Sequence, residues 1–483
     1  MQKIKTPAPS LRKKPDDALT RYLLPVLLFV PVAVILYWLL QGDKNLTFDI
    51  QKWLYPLCVS VMLGALVALW VSMQFRDRNF AKPKHGRLFY PVISGLLAMI
   101  IMSLAYVYLV VWPIGDKSVM LVDMHHQYAP LLSKLRDMFL HGSSPLYSFE
   151  VGLGTNFLPL FGYYLASPLN LLLVLFPDRL LSEGIFFITL IKIGLSSAFF
   201  AACVQYVYRR RDFCVPVVAI MYGLMMYMLA YSWNIMWLDC VMILPLVILF
   251  FEHMMRTGRF LGYTLTLAYA LFSNYYIGFM LCVFLVLYYL VYVLRRPRTL
   301  DRQLHGFSHF AVGSLLAGGL AMFLLIPVYI GLGHTSAAGG SLPEEWKNNF
   351  DLFDLLGRHL YNTSPTIRSG KLPNIYCGML SVLLLPIFAT MKTISRRRRV
   401  TYLALAAVIG MSMVLNVPNL LWHGLHAPND LPYRFSFLYS FVLLLIAFET
   451  LTHIRDIRLS QLGGAFIGIA SYLVLEDRFG DEA

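Results

Sequence analysis

The chain has 483 residues, of which 58% are hydrophobic and only 14% are charged, and its mean hydropathy is +0.64. A soluble domain of this length needs far more charge to cover its surface, so the soluble class is excluded. Apolar runs of about 20 residues satisfy their backbone hydrogen bonds as helices in lipid. The alternating pattern of an outer-membrane barrel does not occur in the sequence. An all-α, polytopic transmembrane bundle is therefore predicted.

The net charge of +14 is compatible with nucleic acid binding, but the positions of the charges argue against it. Lys and Arg occur in short clusters between apolar runs, as the positive-inside rule describes, so topology is the better explanation. The six cysteines are scattered, mostly within apolar runs, with no CxxC motif. They are expected to be small buried hydrophobic residues and not a disulfide frame or a zinc site.

The first part of the chain sets the orientation. Residues 1–22 form a basic tail, and three apolar runs follow within 23–112, at about 23–40, 54–71 and 88–112. Basic clusters precede the first run and separate the second from the third, whereas the loop between the first two has little positive charge. We therefore expect a cytoplasmic N-terminus and a third span that ends outside, near Pro113.

Residues 113–183 are predicted to form a large outer loop with two distinct parts. From Tyr128 to Leu140, apolar residues recur at helical spacing, which predicts an amphipathic helix at the membrane interface. The next part, 158–176, is apolar but is interrupted by Pro159, Gly162, Pro168 and Asn170. We interpret it as re-entrant or interfacial, packed against protein.

The rest of the chain continues the alternation of apolar runs and basic clusters. Residues 184–332 form a transmembrane bundle, 333–376 an outer loop long enough to be a lid, and 377–475 the C-terminal spans. The final 476–483 are charged, and a truncation at that end is one interpretation. The scheme gives about 12 spans, and it puts the basic clusters consistently on the cytoplasmic side. Lys192, deep in its span, is expected to face a cavity or a neighbouring helix.

The first candidate for chemistry is Asp123, which lies near the expected outer membrane boundary, just before the amphipathic helix. A partly shielded carboxylate there suits a general base or a metal ligand. The alternative is a helix N-cap, a common role for Asp in this position. His125 and His126 complete a DxHH pattern that a divalent cation fits, but the spacing is not specific and leaves the metal unknown.

Arg434, directly before a span, is the second candidate. A planar guanidinium suits a phosphate, whereas a snorkelling anchor is the alternative. Its predicted position outside, where the positive-inside rule disfavours a cation, raises the functional interpretation to the level of the anchor, and both remain open. The other polar residues of the outer loops are candidate substrate contacts: Gln127, Glu150, Asn156, Asn234, Asp239, Asn274, Tyr275, Asn374, Asn429, Asp430 and Tyr433.

Several outer segments, taken together, resemble the bacterial YfhO family, which looks like a branch of the GT-C glycosyltransferase superfamily. The matching segments extend from about residue 120 to 445 and include VDMHHQYAPLLSKLRDMF, FGYYLASPLNLLLVLFP, YSWNIMWLDCVMILPL, SNYYIGFMLC, PNIYCGMLSVLLLP and PNDLPYRFSFLYSF. Family members are usually longer, and the two spans before residue 88 depart from the GT-C pattern if Asp123 is the catalytic counterpart.

The resemblance implies a GT-C-like fold and an inverting transferase of the bacterial cell membrane, with its active site on the outer face. It implies a polyprenyl-phosphate sugar, such as an undecaprenyl phosphate derivative, as donor. The acceptor would be an envelope glycopolymer such as lipoteichoic or wall teichoic acid. Asp123 would be the catalytic base, and Arg434, with Arg358 or Lys371, would contact the donor phosphate. His125 or His126 would assist there or hold a divalent cation.

Two other functions remain open on the sequence. A transporter or flippase of lipid-linked saccharides needs the same entry from lipid and a cationic phosphate site, but it also predicts charges along a path near the bilayer midplane. A non-catalytic scaffold for envelope synthesis predicts no need for Asp123. The ionisable residues gather at the outer ends of the spans, which favours the transferase.

Overall fold

A computed structural model describes residues 86–111, 115–295, 299–334, 345–361, 363–368, 372–426, 428 and 430–479, with side chains to residue 474. The basic tail, the first two predicted spans, Lys371 and Asn429 lie outside the described residues.

The described part of the chain is mostly helical with very little strand, as its composition predicts. Its first eight helices are α1 Phe89–Tyr108, α2 Ala129–His141, α3 Leu158–Leu160, α4 Leu181–Tyr208, α5 Cys214–Gly223, α6 Met226–Ala230, α7 Leu238–Thr257 and α8 Leu261–Ser273. The next eight are α9 Tyr275–Leu294, α10 Leu300–Leu332, α11 Leu352–Gly357, α12 Met379–Thr390, α13 Arg396–Val414, α14 Asn416–Trp422, α15 Ser436–Thr452 and α16 Leu459–Phe479. Two short antiparallel strands, β1 Tyr147–Ser148 and β2 Thr155–Asn156, form a hairpin after α2.

Five helices in the described ranges are long and apolar enough to cross a membrane: α1, α4 with the preceding 3₁₀ turn, α7, α9 and α10. The bent pair Leu158–Leu165 and Pro168–Leu175 makes a sixth if it is one span. The predicted total of about 12 spans is thus not confirmed. At a rise of about 1.5 Å per residue, a helix such as α12, with its 12 residues, is too short for a 30 Å hydrocarbon core.

The interrupted segment of the outer loop bends by 87° between its two halves, which agrees with its prolines. Leu158–Leu160 continues into a π-helical turn, Phe161–Leu165, and a 3₁₀ stretch, Pro168–Leu175, follows. Gly162 lets this segment approach α10, because a Cβ at Gly162 would lie 2.5 Å from Cγ2 of Val328. The segment is packed against protein, as predicted.

The predicted amphipathic helix is α2, and four of its apolar residues, Leu131, Leu132, Leu135 and Met138, are buried. They pack on protein, in part on the bent segment. Phe139 is exposed, so the buried face is narrower than the sequence pattern indicates. Arg136 fastens the helix to the end of the bent segment through the Phe176 carbonyl and Asp178, both at 2.6 Å.

The basic clusters between the helices meet at one end of the fold, which we call the basic end. Arg256 and Arg295 converge on the fully buried Glu252 near the C-terminus of α7, at 3.1 and 2.6 Å. Arg398 pairs with Glu449 near the C-terminus of α15, at 2.6 Å. Helices α7, α9 and α15 begin at the opposite end, where Trp237, Asn274 and Phe435 are their N-caps.

Candidate functional site

Arg434 lies at the end of the fold opposite the basic end, just before α15. Its Nε donates to the Leu431 carbonyl at 3.3 Å and its Nη2 donates to the Asp430 carbonyl at 3.0 Å. Its Nη1 donates to the Tyr163 hydroxyl at 3.1 Å. Because a guanidinium has five N–H donors, two remain without a partner among the described residues.

Two aromatic rings enclose the Arg434 guanidinium. The guanidinium carbon lies 5.0 Å from the centre of the Trp237 ring and 5.2 Å from that of Tyr276. These are cation–π distances, and the rings remove water from the charge without neutralising it. No carboxylate of the described residues is within ion-pair distance of Arg434, and the side chain keeps partial exposure. Arg434 is therefore an accessible, unneutralised cation.

Tyr163 connects the bent segment to Arg434. Its hydroxyl accepts from Trp237 Nε1 at 3.3 Å as well as from Arg434. Its carbonyl accepts from the Asn274 side chain at 2.9 Å, and the same Asn274 caps α9 by accepting from the Ile277 amide. The predicted candidate Asn274 is thus a buried structural residue that positions Tyr163. Tyr275, also predicted, lies beside the Tyr163 ring, at 5.8 Å between centroids.

Asp123 lies near two further tyrosines, Tyr128 and Tyr164. It precedes the π-helical turn Met124–Tyr128, but its side chain makes no capping hydrogen bond, so the N-cap alternative is not realised. Burial raises the pKa of the Tyr128 hydroxyl; Tyr163, Tyr164 and Asp123 raise it further, whereas Arg434 lowers it. Both charges therefore act on one tyrosine hydroxyl, and the partly exposed Asp123 carboxylate borders the cluster that holds Arg434.

Together these residues form what we call the aromatic cluster: Tyr128, Tyr163, Tyr164, Trp237 and Tyr276. Gln127 contributes a hydrogen bond to the Tyr164 hydroxyl at 3.2 Å, and the Tyr163 and Tyr164 rings are 4.7 Å apart. Sequence reasoning did not single out Tyr163, Tyr164 or Trp237 as site residues. The signal that points to the two tyrosines is a Tyr-Tyr pair in an apolar segment broken by two prolines.

Asn234 and Trp233 line the side of the cluster formed by the turn before α7. Asn234 Oδ1 accepts from the Tyr128 hydroxyl at 3.1 Å, and the Trp233 ring stacks on Tyr128 at 6.1 Å. Both side chains are almost fully buried, yet Asn234 Nδ2 and Trp233 Nε1 have no partner among the described residues. Buried N–H donors without an acceptor are uncommon in protein interiors. These two donors could therefore bond to an acceptor that enters beside Tyr128.

Asp239 is fully buried in the interior of the fold, close to the Trp237 turn. Its carboxylate accepts from Lys192 Nζ at 2.5 Å, from Ser167 at 2.7 Å and from Tyr269 at 2.9 Å. Lys192 also donates to the Ile235 carbonyl, at 2.8 Å. Asp239 therefore neutralises Lys192, which faces a neighbouring helix and not a cavity, and the pair fixes the bent segment and the Trp237 turn.

Arg358 and Asn374 act together in the loop 333–376. Arg358 is buried and donates to the carbonyls of Ser364 and Pro373 and to Asn374 Oδ1. Asn374 also bonds both the amide and the carbonyl of Thr366, at 3.0 and 2.8 Å. These contacts close the loop on itself. They favour a structural role for Arg358 and Asn374 over the predicted contacts with donor phosphate and substrate.

The remaining predicted residues have diverse surroundings. Glu150 is exposed and pairs with Lys134 at 2.9 Å, and the exposed Asn156 accepts from the Leu158 amide at 3.2 Å. Asp430 lies 3.8 Å from Arg368, and Tyr433 is buried against Phe350. His125 and His126 are exposed with rings 5.1 Å apart. No group of three or more His, Cys, Asp or Glu in the described ranges could hold a metal ion.

A model of the family described as bacterial membrane protein YfhO matches residues 94–476, which is most of the chain. The matched region includes every residue of the aromatic cluster, Asp123 and Arg434. No curated protein and no solved structure matches.

Proposed function

The chain belongs to the YfhO family of bacterial membrane proteins, and we propose that it is a GT-C-type glycosyltransferase. In this proposal it moves a sugar, with inversion, from a polyprenyl-phosphate donor to a hydroxyl of an extracytoplasmic glycopolymer such as lipoteichoic or wall teichoic acid. The Arg434 end of the fold is then the outer face, and the aromatic cluster is the active site.

The observation that carries the proposal is the state of Arg434. A guanidinium that is partly exposed, enclosed by aromatic rings and without a carboxylate partner attracts an anion. Its free N–H donors fit a phosphate oxygen, and a donor phosphate is the anion that a lipid-linked sugar brings to the membrane surface. A role for Arg434 as a snorkelling membrane anchor does not account for the three hydrogen bonds that hold its guanidinium in place.

Asp123 supplies the second group that the reaction needs. An inverting transfer requires a base on the acceptor side of the sugar and charge stabilisation on the phosphate side. Asp123 raises the pKa of the Tyr128 hydroxyl and Arg434 lowers it, so both charges lie close enough to act on the same residue of the aromatic cluster. The absence of a capping bond leaves the Asp123 carboxylate available to a substrate proton.

The reaction then proceeds in one displacement. The acceptor hydroxyl oxygen attacks the anomeric carbon, and its proton passes to Asp123. The bond between the anomeric carbon and the phosphate oxygen breaks, and its electron pair leaves with the polyprenyl phosphate. Arg434 stabilises the charge that grows on this leaving group. The aromatic faces of the cluster provide apolar surfaces for the sugar ring, and Asn234 Nδ2 and Trp233 Nε1 are donors to its oxygens.

The flippase alternative loses support because Lys192, the one cation noted deep in a span, is neutralised by Asp239. A path for a charged substrate needs charges that remain available near the midplane. The transferase needs only the cluster at the ends of the helices.

The test is transfer by the full chain reconstituted in vesicles with undecaprenyl-phosphate-linked sugar and teichoic acid. Asp123→Asn should lower the rate about 100-fold or more, because a general base contributes about that factor. Asp116→Asn, an exposed carboxylate of the same loop, is the matched control and should keep the rate. Equal rates for the Asp123 variant and the unmodified chain would refute the catalytic assignment.

A further inference from the structure

A cavity of about 540 Å³ lies at the basic end, at the opposite end of the fold from the aromatic cluster. This volume is in the range of small-ligand sites, which is roughly 300–1,000 Å³. The cavity is lined by Arg295, Thr393, Ile394, Ser395, Arg396, Arg397, Arg398, Glu449 and His453. Four arginines therefore face one carboxylate, and the lining is strongly cationic.

Only part of this charge is neutralised by the protein. Arg398 pairs with Glu449, and Arg295 pairs with Glu252, which is outside the cavity. Arg396 and Arg397 are exposed and have no ion pair among the described residues. The positive-inside rule explains why basic residues lie at this end, but it does not require four of them around one cavity.

The start of α13 adds to the imbalance. This helix has 19 residues, its first turn is Arg396–Arg399, and its N-cap Ser395 makes no capping hydrogen bond. A helix N-terminus carries partial positive charge and favours acidic residues, so four arginines there repel both the dipole and one another. An anion in the cavity would relieve this repulsion and accept from the unbonded amides of the first turn.

Two buried polar atoms of the lining point to the chemistry of the ligand. Arg295 is more than nine-tenths buried, and its Nε has no partner among the described residues. Glu449 is equally buried, and its Oε2 also lacks a partner there. Arg295 Nε is thus a donor without an acceptor, and Glu449 Oε2 is an acceptor without a donor. A ligand with both an anionic oxygen and a hydroxyl group has the complementary groups for the two.

We propose that the cavity between α13, α15 and Arg295 binds a phosphate ester that carries a free hydroxyl group. The phosphate contacts Arg396, Arg397 and the start of α13, and the hydroxyl donates to Glu449. Two sources share this chemistry: the headgroup of an anionic lipid such as phosphatidylglycerol, and a soluble ester such as glycerol 3-phosphate. The site is separate from the proposed transferase centre and does not depend on it.

The experiment measures ligand retention by the purified full chain in nanodiscs and detergent, with native mass spectrometry and calorimetry. The probes are phosphatidylglycerol, phosphatidylcholine and glycerol 3-phosphate. Retention of phosphatidylglycerol over phosphatidylcholine identifies a lipid headgroup, and direct binding of glycerol 3-phosphate identifies a soluble ester. Either result supports the site, and binding of neither anionic probe overturns it.

Variants locate the binding. Arg396→Gln with Arg397→Gln should weaken binding about tenfold or more, since each charged contact contributes on the order of a kcal/mol and 1.4 kcal/mol is tenfold. Arg302→Gln with Arg458→Gln removes the same charge from exposed arginines outside the cavity and should change binding less than about twofold. Thr393→Phe fills the cavity without a change of charge and should also weaken binding. Equal losses in the two double variants would show a general surface attraction and overturn the proposal.

Discussion

Lys192 Nζ lies 2.5 Å from Asp239 Oδ2, and both side chains are fully shielded from solvent. The pair joins α4 to α7, and Asp239 also accepts from Ser167 of the bent segment and Tyr269 of α8. The position of the Trp237 turn depends on it as well, because Lys192 donates to the Ile235 carbonyl. This buried ion pair thus supports the aromatic cluster from the interior of the fold.

Breaking this pair should destabilise the fold and disturb the cluster. Lys192→Met leaves the Asp239 carboxylate without its cation, and loss of one member of a buried pair costs about 3–5 kcal/mol. The free energy of unfolding in detergent should fall by that order. The double variant Lys192→Met/Asp239→Leu should recover a large part of the loss, because no charge is then left alone. A double variant that is as unstable as the sum of the single variants would contradict a pairwise role.

From the sequence it is easier to identify the polar and ionisable residues at the Arg434 end of the fold than to identify what they contact. The sequence predicts Asp239 as a substrate contact because an ionisable residue that opens an apolar run is costly to explain otherwise, and the family resemblance implies a donor-phosphate contact for Arg358. Their partners, Lys192 at 47 positions and Asn374 at 16 positions along the chain, are not visible in a local pattern. Arg434 and Asp123 were singled out for their positions beside a span and a helix, which are local features.

The helix positions followed from periodicity and composition, whereas the span count did not. The predicted transmembrane bundle, residues 184–332, contains most of α4 and all of α9, two of the helices long and apolar enough to cross a membrane. The predicted C-terminal spans, residues 377–475, include α12, which has only 12 residues. Apolar composition alone does not distinguish a short buried helix from a span, because both are apolar on every side, whereas the length of the helix does.

Arg434 provides a prediction about donor binding. Arg434→Gln should raise the apparent KM for the polyprenyl-phosphate donor about 10- to 100-fold, because a charged hydrogen bond contributes about 1.5–3 kcal/mol. Arg434→Lys should restore only part of this, since an ammonium cannot reproduce the planar fork between Trp237 and Tyr276. Arg368→Gln, an exposed arginine near Asp430, is the control. Unchanged donor kinetics in the Arg434 variants would return Arg434 to the role of an anchor.

His423 provides a prediction about pH. Its Nε2 donates to the Pro432 carbonyl at 2.5 Å, and its Nδ1 accepts from the Tyr276 hydroxyl at 2.7 Å, an arrangement that suits the neutral ring. Burial lowers the pKa of His423 from 6.5 to about 3, and Arg434 and His426 lower it as well, against the Pro432 hydrogen bond. The unfolded chain therefore binds more protons than the folded chain between these values.

The direction in which stability changes with pH follows from this difference in bound protons. Stability should decrease as the pH falls from about 6.5 towards 3, and it should be unaffected by His423 above that window. Thermal unfolding in detergent at pH 7.5 and pH 5 measures the change. His423→Gln, which keeps a donor and an acceptor but does not titrate, should reduce the decrease. The same decrease in the variant would assign the pH dependence to other groups.

The orientation of the two ends is the last prediction. Arg256, Arg295 and Arg398 share the basic end, and the positive-inside rule places such an end in the cytoplasm. On a background without reactive native cysteines, Asp123→Cys should therefore react with a membrane-impermeant maleimide added to intact cells. Arg397→Cys should react only after the membrane is opened. Both positions are partly or fully exposed, so a missing reaction reflects the membrane and not burial. Labelling of Arg397→Cys alone in intact cells would invert the topology and remove Asp123 and Arg434 from the side on which flipped lipid-linked sugars are used.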